Sequence, residues 1–105
     1  MEPLDFIKLC VRRGKIYWTY HVNMRLHERY IPRTWILNST DSYEIIEKYP
    51  EDKYLPSYLV YARHDRQIFH IHIALDENHD MVRIITTYKP SQDKWEVDGK
   101  TRRKP

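Results

Sequence analysis

The sequence predicts one α+β domain, in which N-terminal helices pack on a four-stranded, mainly antiparallel sheet. The 105 residues are the length of one ordinary domain. Apolar residues recur at helical spacing in the first third of the chain and alternate with polar residues in the second half. Short polar turns separate the alternating segments, which favours antiparallel neighbours. We place the domain at residues 1–95 and expect the basic residues 96–105 to form a flexible tail.

Three helices are expected before the sheet. The first covers Pro3–Arg13, and Gly14 follows it as a natural C-terminal stop. Helical spacing returns at residues 20–30, and Pro32 fits the first turn of a third helix at 33–39. Residues 16–19, between the first two helices, are rich in aromatic side chains and are expected to be extended.

The four predicted strands share a period of two, and each ends at a turn signal. They are expected at residues 43–49, 57–64, 67–75 and 81–88. A charged loop bounded by prolines separates the first two strands. Glu44 and Glu47 lie three apart in the first strand, so we expect them on opposite faces, where they would make a poor acid/base pair.

Composition limits the classes of function. The net charge of +3 and pI of about 9.0 permit a nucleic-acid partner without requiring one. No apolar stretch approaches the roughly 20 residues that span a bilayer, and no secretory signal is recognisable at the start. The lone Cys10 cannot form an internal disulfide, so we expect a core residue and a cytoplasmic protein. The two glycines exclude a glycine-rich phosphate loop.

Two histidines in the third strand are the most informative residues. Alternation turns Phe69 and Ile71 towards a core beneath the helices, and turns His70 and His72 to the other face. Nothing obvious later in the chain covers that face. The pair is equally well interpreted as ordinary solvent-facing residues or as groups for proton transfer. Metal binding is a weaker alternative, because it needs a third ligand such as His21, and we expect no metal or other cofactor.

The last strand adds polar side chains. Alternation puts Thr86 and Tyr88 on one face together with Ile84, and Arg83 on the opposite face with Ile85. An open sheet face with His, Thr, Tyr and Arg would suit binding or proton transfer.

A basic stripe is expected on the second helix. His21, Arg25 and Arg29 follow each other at intervals of four, so their side chains are neighbours. One interpretation is a solvated face, with Glu28 pairing with Arg25. The other is a phosphate contact, because the arginine fork matches phosphate oxygens.

Together these motifs resemble a family of small bacterial proteins known as a domain of unknown function (number 4258). The resemblance extends over most of residues 5–95. The matching residues are Thr19-x-His21-x-x-x-Arg25, Glu28-Arg29-Tyr30-Ile31, Ile46-Glu47-x-Tyr49-Pro50, Pro56-Ser57-Tyr58-Leu59, Phe69-His70, Ile85-Thr86-Thr87-Tyr88-x-Pro90 and Trp95. This sequence departs from the family pattern at Val22 and Leu26, which look like packing changes.

The family is similar to the RelE and BrnT toxins, which implies a RelE-like fold and a metal-independent ribonuclease of a toxin–antitoxin system. Its substrate would be single-stranded or ribosome-bound RNA, and its partner an antitoxin protein. The resemblance marks five residues as catalytic: His21, Arg25, His70, Thr86 and Tyr88. His21 and His70 would be base and acid, in either order, and Arg25 would stabilise the phosphate. Arg29, His72 and Arg83 would contact RNA. The alternative is a non-catalytic module that binds RNA or protein through the same face.

Overall fold

The computed structural model describes residues 1–104, except for the side chain of Arg25. It confirms an α+β architecture with helices at the front and a sheet behind. Within these residues the α-helices are α1 (Pro3–Arg12), α2 (Tyr20–Glu28) and α3 (Arg33–Asn38), and the strands are β1 (Ile16–Trp18), β2 (Glu44–Tyr49), β3 (Ser57–His64), β4 (Gln67–Asp76) and β5 (Met81–Tyr88). Two short 3₁₀ turns lie at Thr40–Ser42 and Glu77–His79.

The sheet has five strands in the order β1-β5-β4-β3-β2, so the prediction of four strands is wrong. β2 to β5 form the expected antiparallel meander, and β1 pairs with β5 in parallel. The extended character of residues 16–18 was predictable from their composition. Their pairing was not, because the partner strand lies more than sixty residues further along the chain and no turn signals the contact.

The helices cover one face of the sheet, and the core lies between the two layers. Phe69, Ile71 and Ile73 of β4 are fully buried there, as their alternation predicts. Ile7 of α1 and Val22 of α2 meet them from the helices with no exposed surface. Each such side chain stabilises the fold by roughly 1.5–3 kcal/mol through burial. None of the helices within residues 1–104 is long and apolar enough to span a membrane.

Residues 91–103, the C-terminal segment, cross the other face of the sheet, which we call the outer face. Trp95 and Arg102 form an isolated antiparallel bridge within the segment, and Trp95 is only 3% exposed. Lys100 and Arg102 reach Glu44 and Glu47 of β2 at 2.8 and 2.5 Å. The expectation of an uncovered outer face is therefore wrong, because acids on β2 attract the basic residues of this segment. The flexibility expected of residues 96–105 stays a prediction, although Gly99, Lys100 and Arg102 contact the sheet.

Two glycines provide a matched test of how closely this segment approaches the sheet. Gly14 and Gly99 both adopt a φ of +70°, so alanine at either position costs about 1–2 kcal/mol of backbone strain. A Cβ on Gly99 would lie 2.9 Å from Cγ2 of Ile68, whereas a Cβ on Gly14 would meet nothing within 4 Å. We therefore expect Gly99→Ala to lower the free energy of unfolding by roughly 1–3 kcal/mol more than Gly14→Ala, as overpacking does. Urea denaturation of both variants measures the difference, and equal losses would mean that the segment does not pack against Ile68.

Candidate functional site

The outer face gathers polar side chains from three strands and the C-terminal segment. β4 contributes His70 and His72, which pair across the sheet with Tyr88 and Thr86 of β5. β2 contributes Glu47 and Tyr49, and the C-terminal segment adds Arg102. Three of the residues predicted to be catalytic, namely His70, Thr86 and Tyr88, therefore lie together on one face.

Two β-bulges explain this arrangement. One bulge in β2, between Ile45 and Glu47, shifts the register so that Glu44 and Glu47 pair with Tyr61 and Leu59, which share the outer face. The expectation that these two glutamates lie on opposite faces is therefore wrong. A bulge adds one residue to a strand and reverses the alternation beyond it, and the sequence of β2 carries no glycine or proline to reveal it.

The second bulge lies in β5, opposite the step from His72 to Ile73. Ile84 consequently turns into the core with no exposed surface, whereas Thr86 keeps its place beside His72. Arg83 pairs with Ala74 and joins the outer face, which corrects the expectation that it lies opposite to Thr86. Ile85 is the extra residue of the bulge and is 41% exposed.

His70 is completely buried at the centre of the outer face. Its Nε2 lies 2.6 Å from the carbonyl oxygen of Gly99, and its Nδ1 lies 3.3 Å from the Tyr88 hydroxyl. A carbonyl only accepts, so Nε2 carries the proton and Nδ1 accepts from Tyr88. Burial lowers the pKa of His70, although the bond to Gly99 opposes that shift. The ring is therefore neutral near pH 7, and its surroundings leave no room for substrate at either nitrogen.

The C-terminal segment completes the wall around His70. The Trp95 ring meets the imidazole edge to face, with 4.5 Å between the ring centroids. The Arg102 guanidinium lies 4.6 Å from the centre of the Trp95 ring and binds Glu47 with two hydrogen bonds. That pairing lowers the pKa of Glu47, so the carboxyl is ionised at neutral pH.

His72 is only half buried and is held differently. Its Nε2 lies 2.8 Å from the Ser57 hydroxyl, which donates its one proton to the Asp52 carboxylate. Ser57 must then accept from His72, so Nε2 carries the proton and Nδ1 keeps its lone pair. Within residues 1–104 the structure gives Nδ1 no hydrogen-bond partner. Burial lowers the pKa of His72, with Asp52 and Glu47 opposing the shift.

His72 lies in a cavity of about 240 Å³, which we call the His72 pocket. The other residues that line it are Glu47, Tyr49, Asp52, Leu59, Thr86, Tyr88 and Arg102. Burial raises the pKa of Tyr88, and the hydrogen bond to Glu47 raises that of Tyr49, so both phenols keep their protons at neutral pH. The pocket thus combines a neutral imidazole, two phenols and a guanidinium, which are the groups needed for proton transfer next to an anion.

A second cavity of about 350 Å³ adjoins the pocket and shares Tyr88 and Arg102 with it. Its lining includes four cationic side chains and no carboxylate, so we call it the basic groove. The residues are Arg29, Tyr88, Lys89, Ser91, Lys94, Trp95 and Arg102. A groove of this charge attracts a phosphate backbone.

The predicted stripe on α2 reaches this groove through Arg29. Nη1 of Arg29 donates to the carbonyl oxygen of Thr87 at 2.6 Å, which ties the end of α2 to β5. His21 has an exposed side chain in the first turn of α2, roughly 12 Å from Arg29 along the helix axis. The backbone of Arg25 lies between them, but its side chain is outside the described residues. The catalytic roles of His21 and Arg25 stay predictions.

Arg83 lies on the outer face beyond the His72 pocket. Its Nη2 is 3.4 Å from Asp76, and its guanidinium lies 5.4 Å from the centre of the Tyr17 ring. The role expected of it in RNA binding stays a prediction. The described residues contain no cluster of three or more His, Cys, Asp or Glu side chains that could hold a metal ion.

Several residues of the site were not among those predicted to be functional from the sequence. Glu47 was set aside because of the hidden bulge, and Arg102 because it was assigned to a tail. Asp52 lies in the loop between β2 and β3, and Ser57 begins β3; only the contact with His72 gives them a role. The acidic residues of β2 and the basic residues after position 99 have complementary charges. This is the one signal in the sequence that could have indicated that the C-terminal segment contacts β2.

The burial of His70 predicts how stability depends on pH. Its pKa in the folded protein lies below the ordinary value of 6.5, so the unfolded chain binds the proton more tightly. The free energy of unfolding should therefore fall as the pH drops below 6.5, by at most about 1.4 kcal/mol per pH unit for one group. His72 adds to the slope in the same direction, whereas the Glu47 contribution is lost only at lower pH.

The measurement is urea denaturation between pH 5 and 8, for the wild type and for His70→Gln, in which an amide can still donate to Gly99. The free energy of unfolding of the variant should depend less steeply on pH than that of the wild type. Histidine resonances of the wild type, followed by NMR, check the result independently of the variant's folding. A His70 resonance that titrates at or above 6.5 would contradict the burial.

Comparison with known families matches residues 18–89 to one of them, described as Domain of unknown function (DUF4258). The matched part runs from the end of β1 to the residue after β5, so it holds His72, Tyr88 and both β2 glutamates, whereas α1 and the C-terminal segment lie outside it. No curated protein and no solved structure matches the chain. Because the match covers more than half of its length, the chain belongs to the DUF4258 family.

Proposed function

We propose that the protein is a metal-independent endoribonuclease whose chemistry takes place in the His72 pocket. The observation that supports it best is the His72 imidazole, which is fixed at Nε2 by Ser57 and keeps a lone pair at Nδ1. RNA supplies its own nucleophile, the 2′-hydroxyl. The protein then needs only a base, an acid and a cation, and the pocket offers one of each.

His72 is the base in this mechanism. Nδ1 takes the proton of the 2′-hydroxyl, whose oxygen attacks the adjacent phosphorus. The lowered pKa keeps the imidazole in its neutral, proton-accepting form near pH 7. The Asp52 carboxylate, acting through the Ser57 hydroxyl, stabilises the imidazolium that forms.

Arg102 and Tyr88 complete the step. A guanidinium has five N–H donors, and Arg102 uses two of them on Glu47, so three remain for the charged phosphorane. Tyr88 exchanges its 3.3 Å hydrogen bond to Nδ1 of His70 for one to the departing 5′-oxygen and protonates that oxygen, because an alkoxide is far more basic than a phenolate. The P–O5′ bond breaks, leaving a 2′,3′-cyclic phosphate on one product and a 5′-hydroxyl on the other.

The role of His70 in this mechanism differs from the catalytic acid or base expected from the sequence. Since both of its nitrogens are engaged, it acts as a positioning residue that orients the Tyr88 hydroxyl and holds Gly99. His72, which was assigned to RNA contact, becomes the base. The flanking phosphates lie in the basic groove on Arg29 and Lys94. An antitoxin with an acidic segment would compete for the same groove, in keeping with the RelE- and BrnT-like role that the resemblance implies.

A non-catalytic module that binds RNA or protein through the same face is the second candidate. The bidentate Glu47–Arg102 pair favours it, because the carboxylate already neutralises the cation that lines the His72 pocket. Binding would then depend on the basic groove and not on His72.

The first test of the proposal is RNA cleavage in the presence of EDTA. His72→Ala should lower the rate roughly 10²–10⁴-fold, which is the contribution of one acid/base group. His79→Ala is the matched control, since His79 is an exposed histidine that pairs with Asp76 away from the pocket. The products should carry cyclic phosphate ends. The substrates should include free single-stranded RNA and translating ribosomes.

Two outcomes would contradict the cleavage proposal. Equal rates for the wild type and His72→Ala would remove the base from the mechanism. Binding without cleavage, on every substrate, would favour the non-catalytic module.

The basic groove predicts a salt dependence for RNA binding, measured with 2′-O-methyl RNA that cannot be cleaved. Removing one phosphate contact should reduce the slope of log K against log salt by about 0.7 for a single strand. Lys94→Ala should show this loss. Lys8→Ala, on α1 and on the opposite side of the sheet, should not. Identical slopes for both variants would place the RNA elsewhere.

A further inference from the structure

A third cavity on the outer face, of about 420 Å³, lies next to the His72 pocket and shares Asp52 with it. Ala74 lies at its base and is 5% exposed. Ala74 follows His72 on the same face of β4, and its small side chain leaves a depression where a larger one would fill the space. The β5 bulge sets Ile85 beside it as an apolar wall.

Two tyrosines stand at the rim of this cavity, which we call the tyrosine slot. Tyr17 is 50% exposed and Tyr54 is 84% exposed. A cation lies beside each ring. The Arg83 guanidinium is 5.4 Å from the centre of the Tyr17 ring, and Nζ of Lys53 is 5.4 Å from the centre of the Tyr54 ring. Aromatic rings beside an apolar depression are how proteins hold an unstacked nucleobase, and the cations suit the phosphates attached to it.

Asp52 gives the slot its selectivity. Oδ2 accepts the proton of Ser57, and within the described residues the structure gives Oδ1 no partner. A carboxylate only accepts, so it favours a base with adjacent N–H donors. Guanine presents N1–H and N2–H side by side. Adenine, cytosine and uracil each place an acceptor next to a donor on that edge, which would face the carboxylate unfavourably.

We propose that the tyrosine slot is a guanine-binding subsite for the nucleotide next to the cleaved phosphodiester. The inference rests on the proposed ribonuclease function for its biological meaning, but the slot binds a base without any chemistry. Asp52 links the two cavities, because the carboxylate that recognises guanine also holds Ser57 against His72. A guanine in the slot therefore helps to hold His72, the general base, in position to remove the 2′-hydroxyl proton.

The experiment is a titration of the full chain with guanosine, inosine and uridine 5′-monophosphates, followed by amide NMR. Guanosine monophosphate should shift the resonances of Ala74 and Ile85 and bind roughly tenfold more tightly than uridine monophosphate. Inosine lacks the N2 amino group and should bind between the two. Equal affinities, or shifts confined to other surfaces, would overturn the subsite.

Three variants sharpen this test. Tyr54→Ala should weaken guanosine monophosphate binding severalfold, whereas Tyr30→Ala, a tyrosine of similar exposure at the end of α2, should leave it unchanged. Asp52→Asn should abolish the preference for guanosine over inosine, because an amide offers a donor as well as an acceptor. Unchanged binding in Tyr54→Ala, or an unchanged preference in Asp52→Asn, would overturn the subsite.

Cleavage assays keep the two proposals separate. Guanine selectivity in the slot without RNA cleavage would retain the subsite and refute the ribonuclease. Cleavage that depends on His72, with no shift at Ala74 or Ile85, would retain the ribonuclease and refute the subsite.

Discussion

The hydrogen bond from Nε2 of His70 to the carbonyl oxygen of Gly99 is the contact on which the outer face depends. It ties the C-terminal segment to the centre of the sheet at 2.6 Å and fixes the tautomer of the histidine. That tautomer turns Nδ1 into an acceptor for Tyr88, and the docked segment brings Arg102 to Glu47. A buried donor left without its acceptor costs about 1–3 kcal/mol, so the segment and the ring stabilise each other.

The two histidines of β4 show how neighbouring positions acquire different chemistry. His70 and His72 share a face, a strand and a lowered pKa. One is enclosed by Trp95 and the Gly99 carbonyl, and the other faces a cavity with a lone pair available. Burial thus gives His70 a structural role, whereas His72 is accessible from the cavity. Asp52 extends the second role, because its carboxylate lines both the His72 pocket and the tyrosine slot.

Local patterns in the sequence predicted most of the elements and the side of the sheet on which both histidines lie. Periodicity reports the contacts of a residue with its near neighbours, so the helices and the meander of β2 to β5 were accessible. It does not report pairing between distant segments, which is why β1 was not counted as a strand of the sheet. It also cannot reveal a bulge that lacks a glycine, so Glu47 was misplaced. Arg102 was missed because a run of basic residues in isolation indicates a solvated tail.

The order of the chain separates the sheet from part of the site. Residues 1–88 contain every helix and strand described, and the family match ends at residue 89. Trp95 and Gly99, which enclose His70, and Arg102, which lines the His72 pocket, all follow that part of the chain. Residues 91–94 connect the two parts and are exposed. A single proteolytic cut there would keep every strand of the sheet and yet detach the enclosure of His70 and the guanidinium of the His72 pocket.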